Sequence, residues 1–188
     1  LLALFSLRQK SVTVDEFAHL PAGLSYLRTG EFHLYPHSPP LVRMIAALPL
    51  LWSDAKLPME TAGRDADHWV MGYKFMSENR ESYHALFLRA RAMVVMLHAL
   101  LIVLVFGWAR SLYGPRSGLA AAFLAGFCPN LLAHSRLVTT DAGETLFFMA
   151  AVASTWFFVK SPSWKRTLLA GAATGLALTA KFTSLLLL

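Results

Sequence analysis

The chain has 188 residues, of which 56% are hydrophobic and 15% are charged, and its formal charge is +6. A nucleic-acid-binding protein gathers its basic residues into a patch with interleaved aromatic residues. Here several basic residues flank hydrophobic segments instead, as they do in membrane proteins, so the composition argues against nucleic acid as a partner. Cys128 is the only cysteine, which excludes a disulfide within the chain.

Four apolar segments occupy the second half of the chain. Residues 92–108 contain one histidine and no formal charge, and their length is close to the ~20 residues that cross a bilayer. Three further candidates lie at about 117–133, 142–159 and 167–188. Together they predict an all-α, polytopic transmembrane helical bundle. Residues 1–7 are interpreted as the end of an earlier transmembrane helix, and the apolar ends predict that the chain is the N-terminal part of a longer protein.

A long polar to amphipathic region, residues 11–85, lies between the apolar residues 1–7 and the apolar segment 92–108. Thr13 and Glu16 have the spacing of a capping box, which predicts the start of a helix. Pro21 is expected to kink or shorten this helix, and Gly30 to end it. Its apolar residues fall on one stripe, formed by Phe17, Leu20, Leu24 and Leu27.

A second helix in the same region is predicted from Ser38 to Pro49, with Pro39 in its first turn. Its apolar face, formed by Leu41, Met44, Ile45 and Leu48, is expected to lie in the membrane interface. Residues 54–84 are polar, and the aromatic residues among them that could anchor the chain at the interface are Trp69, Tyr73 and Tyr83.

The charges of the short loops predict the topology. The loops that follow the first and third complete segments carry five cations, whereas the loop at about 134–140 carries only Arg136. The positive-inside rule then places the two basic loops in the cytoplasm, and residues 11–85 and 134–140 outside. Lys181 lies about 15 residues, or roughly 22 Å, along the last helix, in the outer half of the bilayer. The polar residues are therefore expected to converge on one side of the membrane.

Two adjacent acids, Asp15 and Glu16, begin the outer region. They could cap the helix and interact with its dipole, or they could act as a general base or an acid–base pair; the spacing leaves both interpretations open. His19 lies one turn further on, but the zinc-protease motif requires histidine where this chain has Asp15. A zinc protease is therefore disfavoured.

Four other polar residues have competing interpretations. Arg43, near His37, either extends to lipid headgroups or clamps a phosphate. Asp141 either caps a helix or belongs to a site. Glu144 lies one turn deeper, where an acid is costly and is expected to face the protein interior. Lys181, inside an apolar run, is a candidate functional residue, with extension towards the membrane surface as the alternative.

These motifs, in this order, resemble the membrane-embedded GT-C glycosyltransferases, and among them the protein O-mannosyltransferases, aminoarabinose transferases and related bacterial family 39 enzymes. The resembling residues are Asp15-Glu16, Ser38-Pro39-Pro40-Leu41-Val42-Arg43, Thr139-Thr140-Asp141-Ala142 and Gly175-Leu176-Ala177-Leu178-Thr179-Ala180-Lys181-Phe182. Family members often have His or Lys directly before Pro-Pro, where this chain has Ser38. Glu144 matches no motif of the family.

The resemblance implies a GT-C type bundle with interfacial helices in the first outer loop. It also implies inverting sugar transfer from a polyprenyl-phosphate donor to a lipid, glycan or protein acceptor. The active site would lie on the outer, non-cytoplasmic side of a bacterial inner membrane. In this interpretation Asp15 deprotonates the acceptor, with Glu16 beside it. The donor phosphate contacts Arg43, Lys181 and His37, and the residues that shape the site are Asp141, Arg136 and His19. A divalent metal ion is a possible cofactor.

A transporter or lipid-handling protein without catalysis is the alternative, with Lys181 and Glu144 along its path, and a non-catalytic scaffold is a third. Many transporters have a pair of interrupted helices near the membrane midplane. The sequence shows no evident pair of this kind, which favours the enzyme.

Overall fold

A computed structural model describes residues 2–7, 9–58 and 67–188 of the chain. All regular elements in these ranges are helical, which confirms the all-α fold class. The chain divides into two compact units. The first comprises Leu1–Val95 and Arg136–Thr140, and the second comprises Met96–Ser135 and Asp141–Leu188.

The first unit is built around one buried helix. Its elements, in order, are α1 (Leu2–Leu7), α2 (Val14–Thr29), α3 (Leu41–Ala47), a 3₁₀ helix (Leu48–Trp52), α4 (His68–Glu78) and the first part of α5 (Tyr83–Tyr113). Both α3 and α4 pack against α2. This arrangement makes α2 the centre of the unit.

The predicted boundaries of α2 are confirmed. Thr13 and Glu16 form the capping box, and Gly30, with φ of 73°, ends the helix. Pro21 lies inside α2, which remains helical from Val14 to Thr29, so it does not shorten the helix. Proline cannot donate to the carbonyl of the preceding turn. That carbonyl, of Phe17, faces α4 at Gly72, where an added Cβ would lie 2.6 Å from the oxygen.

The single apolar stripe predicted for α2 is too narrow. Every residue from Glu16 to Tyr26 is buried, because α2 has partners in both α3 and α4. Gly23 allows the close approach of α3, since a Cβ at this position would lie 2.2 Å from the backbone oxygen of Arg43. The sequence pattern indicated the apolar residues but not the second packing face.

The boundaries predicted for the second helix are wrong by a few residues. α3 begins at Leu41, not at Ser38, and the chain continues past Pro49 as a 3₁₀ helix to Trp52. The predicted interfacial face is half-buried, while Val42, Ala46 and Ala47 are the apolar residues that α3 buries. The helix α4 was not predicted at all, and part of the polar stretch 54–84 lies outside the described residues.

The second unit contains the rest of α5 and the later helices. These are α6 (Pro115–Gly126), α7 (Pro129–His134), α8 (Asp141–Lys160), α9 (Trp164–Ala180) and a C-terminal 3₁₀ helix (Phe182–Leu187). α8 packs along α9, and the C-terminal 3₁₀ helix contacts both.

Two of the four predicted transmembrane segments are continuous helices of membrane-spanning length and hydropathy. These are α5, with 31 residues, and α8, with 20, which correspond to about 46 and 30 Å of helix. The other two segments are each interrupted, one between α6 and α7 and the other at Lys181. The expectation of uninterrupted helices at 117–133 and 167–188 is therefore wrong, and the four crossings and their topology stay a prediction.

Candidate active site

The two adjacent acids at the start of α2 have opposite environments. Asp15 is exposed, and within the described residues no hydrogen bond or ion pair involves its carboxylate. Glu16 is fully buried, with 0% of its surface exposed. Successive residues of an α-helix point about 100° apart, so one acid faces outward while the next enters the core. The capping box fixes this orientation.

Glu16 forms a buried ion pair with Arg91 of α5. The guanidinium donates from Nε to Oε1 at 2.7 Å and from Nη2 to Oε2 at 2.6 Å, which is the bidentate geometry of a strong charge-assisted pair. The backbone N–H of Val138 also donates to Oε1, at 3.0 Å, and that of Thr13 donates to Oε2, at 3.0 Å. Both carboxylate oxygens are therefore fully used inside the protein.

Arg91 also joins α5 to the chain before α2. Its guanidinium donates to the carbonyls of Leu7, Lys10 and Ser11 at 3.4, 2.9 and 2.8 Å. Burial acts to raise the pKa of Glu16, but the hydrogen bonds from Arg91 and two backbone amides, together with the charge of Arg91, hold that pKa below its ordinary value. Glu16 is thus a charged anchor beneath the exposed Asp15.

Arg43 is also buried, with 1% of its surface exposed. Its guanidinium lies 4.2 Å from the centre of the Tyr35 ring and donates to the carbonyls of Tyr35 and Ser38 at 3.1 and 2.8 Å. It also contacts the Ser38 hydroxyl and, at 3.3 Å, the Tyr26 hydroxyl. Burial lowers the pKa of Arg43 and raises that of Tyr26. Arg43 holds the loop before α3 in place.

Three histidines surround Tyr35. The rings of His19, His37 and His68 lie 4.9, 5.5 and 4.5 Å from that of Tyr35. His37 is exposed, whereas His19 is buried. Burial, together with the charges of His37 and Arg43, lowers the pKa of His68 despite the neighbouring Asp67. His68 is therefore held towards its neutral form. Its ring lies 5.4 Å from that of His37, a neighbour that the sequence pattern did not indicate.

Arg136 is held in the first unit. Its Nη1 donates to the hydroxyl of Ser6 in α1 at 2.9 Å. In the parts of the chain that the structure describes, no group of three or more His, Cys, Asp or Glu side chains is placed to hold a metal ion. A divalent metal ion therefore stays a prediction.

In the second unit, Lys181 joins the start of α8 to the end of α9. Its backbone is extended, and α9 ends before it. The prediction that Lys181 lies inside the last helix is therefore wrong. Its Nζ lies 2.8 Å from Asp141 Oδ1 and 3.4 Å from Glu144 Oε2. Asp141 also lies 3.3 Å from Nδ1 of His134. The lysine is thus shared between two carboxylates one helical turn apart.

A cavity of about 310 Å³ adjoins this cluster. It is lined by Glu144, Thr145, Phe148, Met149, Thr183 and Leu186. Glu144 belongs to both features, since it contacts Lys181 and lines the cavity. Its other oxygen accepts a hydrogen bond from the Thr183 hydroxyl. The sequence indicated Glu144 as an acid facing the interior but did not pair it with Lys181.

The predicted site residues are divided between the two units. Glu16, His19, His37, Arg43 and Asp15 belong to the first unit, with Arg136, and the second unit holds Asp141 and Lys181. The expected convergence of Asp15 and Lys181 stays a prediction. Arg91 was missed because it precedes an apolar segment, where a cation is ordinarily interpreted as a membrane flank.

The fold and these clusters define a class of protein: an all-α membrane protein in which charged residues pair at helix ends. The family model for dolichyl-phosphate-mannose-protein mannosyltransferases matches residues 84–188, more than half of the chain. The chain belongs to this family, and it is a membrane glycosyltransferase of the mannosyltransferase type. No curated protein and no solved structure matches it.

The match extends over Arg91, Arg136, Asp141 and Lys181, whereas the motifs around Asp15 and Arg43 precede it. The GT-C resemblance is therefore confirmed at the level of the family, and the bacterial subfamily stays a prediction. The match supports a glycosyltransferase. Two of the predicted segments are interrupted, as helices of many transporters are, but the match gives no support to the transporter alternative.

Proposed function

We propose that this chain transfers a sugar, with inversion, from a polyprenyl-phosphate donor to an acceptor on the non-cytoplasmic side of a membrane, such as a bacterial inner membrane. Membership of the mannosyltransferase family carries this proposal. The acceptor is a lipid, a glycan or a protein.

Asp15 is the general base in this proposal. The acceptor oxygen attacks the anomeric carbon, Asp15 takes its proton, and the bond from that carbon to the phosphate oxygen breaks, with the electron pair leaving on the phosphate. Attack opposite the leaving group inverts the anomeric centre. An exposed carboxylate is available to an acceptor, whereas Glu16 is fully occupied by Arg91 and backbone amides. Glu16 accordingly positions Asp15.

Lys181 is the cation that we assign to the donor phosphate. Its ammonium group has three donors, and two of them face Asp141 and Glu144. A preorganised cation stabilises charge that develops on a leaving phosphate. Arg43 fits this role less well, because its guanidinium is buried and donates to the loop before α3. We therefore assign it to holding that loop, which carries His37.

The test uses the full-length protein, reconstituted in lipid, with radiolabelled polyprenyl-phosphate sugars and a membrane extract as the source of acceptors. Asp15→Asn is expected to lower transfer at least about 100-fold, the usual contribution of a general base, without lowering the unfolding temperature. Asp54→Asn is the matched control, since Asp54 is an exposed aspartate of the same unit. Full transfer by the Asp15→Asn protein would refute the assignment.

A further inference from the structure

One carboxylate near Lys181 is not explained by the proposed reaction. Asp141 belongs to one of the motifs that resemble the family, whereas Glu144 does not. An acid one turn into an apolar helix is costly if that helix crosses a membrane. The side chain of Glu144 is only 17% exposed. A residue of this kind needs a partner, and it has two: Lys181 through Oε2 and Thr183 through Oε1.

The two acids hold Lys181 differently. Asp141 contacts the ammonium at 2.8 Å, within hydrogen-bond distance. Glu144 is further away, at 3.4 Å, and its other oxygen already accepts from the Thr183 hydroxyl. If Glu144 loses Lys181, it therefore keeps one hydrogen bond. Asp141 is the firm partner of the lysine, and Glu144 is the partner that is more easily displaced.

The charge of the cluster opposes an anionic ligand. One ammonium group faces two carboxylates, so the cluster made by Lys181, Asp141 and Glu144 has a net negative charge when all three are ionised. A phosphate that approaches Lys181 meets the repulsion of Glu144 and competes with it for the same donor. A phosphate therefore binds more easily once Glu144 has moved or lost its charge.

We propose that Glu144 is a displaceable counter-ion of Lys181, which holds the ammonium group until the phosphate of a polyprenyl-phosphate lipid takes its place. When the phosphate binds, the carboxylate turns from Lys181 and keeps its hydrogen bond to Thr183. Glu144 thereby restrains binding at Lys181 and is a positioning residue, not a catalytic one. This inference rests on the proposed role of Lys181.

The test measures the Kd of the full-length protein for undecaprenyl phosphate in detergent or nanodiscs. Glu144→Gln keeps the shape of the side chain and an acceptor for Thr183 but removes the charge. A unit charge a few ångströms from a phosphate changes its binding by at least about tenfold at an effective dielectric constant near 20. Glu144→Gln is therefore expected to bind the lipid about tenfold more tightly. Glu81→Gln, an exposed acid in the other unit, is the control for net charge.

Two further measurements separate the possible outcomes. Lys181→Met is expected to weaken binding of undecaprenyl phosphate, and binding of undecaprenol, which lacks the phosphate, is expected to be equal in the wild-type and Glu144→Gln proteins. If Lys181→Met leaves the Kd unchanged, the proposed role of Lys181 fails. If Lys181→Met weakens binding but Glu144→Gln does not strengthen it, only the displaceable counter-ion is refuted. If Glu144→Gln strengthens the binding of undecaprenol as much as that of undecaprenyl phosphate, the effect comes from the shape of the cavity. That result would also refute the displaceable counter-ion.

Discussion

Replacing Arg91 by methionine tests whether the buried pair with Glu16 organises the first unit. The change removes both contacts to the Glu16 carboxylate and those to the carbonyls of Leu7, Lys10 and Ser11. Glu16 would remain buried with a charge and no cation. Removing one partner of a buried pair costs about 3–5 kcal/mol, and for a chain of this size that corresponds to roughly 10 °C in unfolding temperature.

Thermal unfolding of the full-length protein in detergent measures this loss, with Arg89→Met as the control because Arg89 is an exposed arginine of the same helix. The double variant Glu16→Leu with Arg91→Met leaves no unpaired charge. We expect it to be more stable than Arg91→Met alone, because the cost of an uncompensated buried charge disappears. The single variant Glu16→Leu completes the comparison. If the effects of Glu16→Leu and Arg91→Met simply add in the double variant, or if Arg91→Met unfolds like the wild type, the ion pair does not anchor the first unit.

The pH dependence of stability follows from the same pair. The pKa of Glu16 in the folded protein lies below its ordinary value of 4.5, so its stabilisation is present above about pH 4.5 and is lost as the pH falls through the folded-state pKa. The difference in unfolding temperature between the wild-type and Glu16→Gln proteins is therefore expected to shrink on acidification. A difference that stays constant between neutral pH and pH 3 would contradict this explanation.

Three further substitutions test the packing. Gly23→Ala places a Cβ 2.2 Å from the Arg43 carbonyl oxygen and should lower stability by at least about 2 kcal/mol. Gly171→Ala is the comparison, because a Cβ at this position would have no neighbour within 4 Å. It should raise stability by up to about 1 kcal/mol. Equal unfolding temperatures for these two variants would argue against the α2–α3 contact. Arg43→Lys loses the planar fork of donors and should speed limited proteolysis of residues 35–39; unchanged cleavage would show that the loop does not need it. Asn79→Ala leaves both backbone groups of Lys56 without their partner and should cost about 2 kcal/mol in thermal unfolding, so an unaltered protein would contradict that role.

Much of the helical architecture could be predicted because it depends on local signals. The capping box at Thr13, the left-handed glycine at position 30 and the apolar segments behind α5 and α8 were all recognisable in the sequence and are confirmed. The helix α4 was missed because residues 54–84 are polar on the whole and were interpreted by their composition alone. Its start is nevertheless marked by Asp67, whose side chain accepts a hydrogen bond from the Trp69 amide.

The interruptions in two apolar segments were harder to predict. A run of hydrophobic residues favours a continuous helix in any scale that averages over a window. Cys128 has an extended backbone between α6 and α7, and Lys181 has one between α9 and the last 3₁₀ helix. Lysine forms helices well, so nothing in the local sequence indicates this break. Lys181 contacts Asp141 and Glu144, which are 40 and 37 residues away. These long-range contacts, not the local sequence, accompany the end of the helix.

The pairs of neighbouring acids show the same limit most clearly. Asp15 and Glu16 are adjacent, and both suit a capping or a catalytic role, so the sequence alone could not separate them. The structure separates them through a partner 75 residues away: Arg91 draws Glu16 into the core and leaves Asp15 exposed. Asp141 and Glu144, one turn apart, share a single lysine in unequal ways. In both pairs, long-range contacts give two acids that are close in sequence different environments.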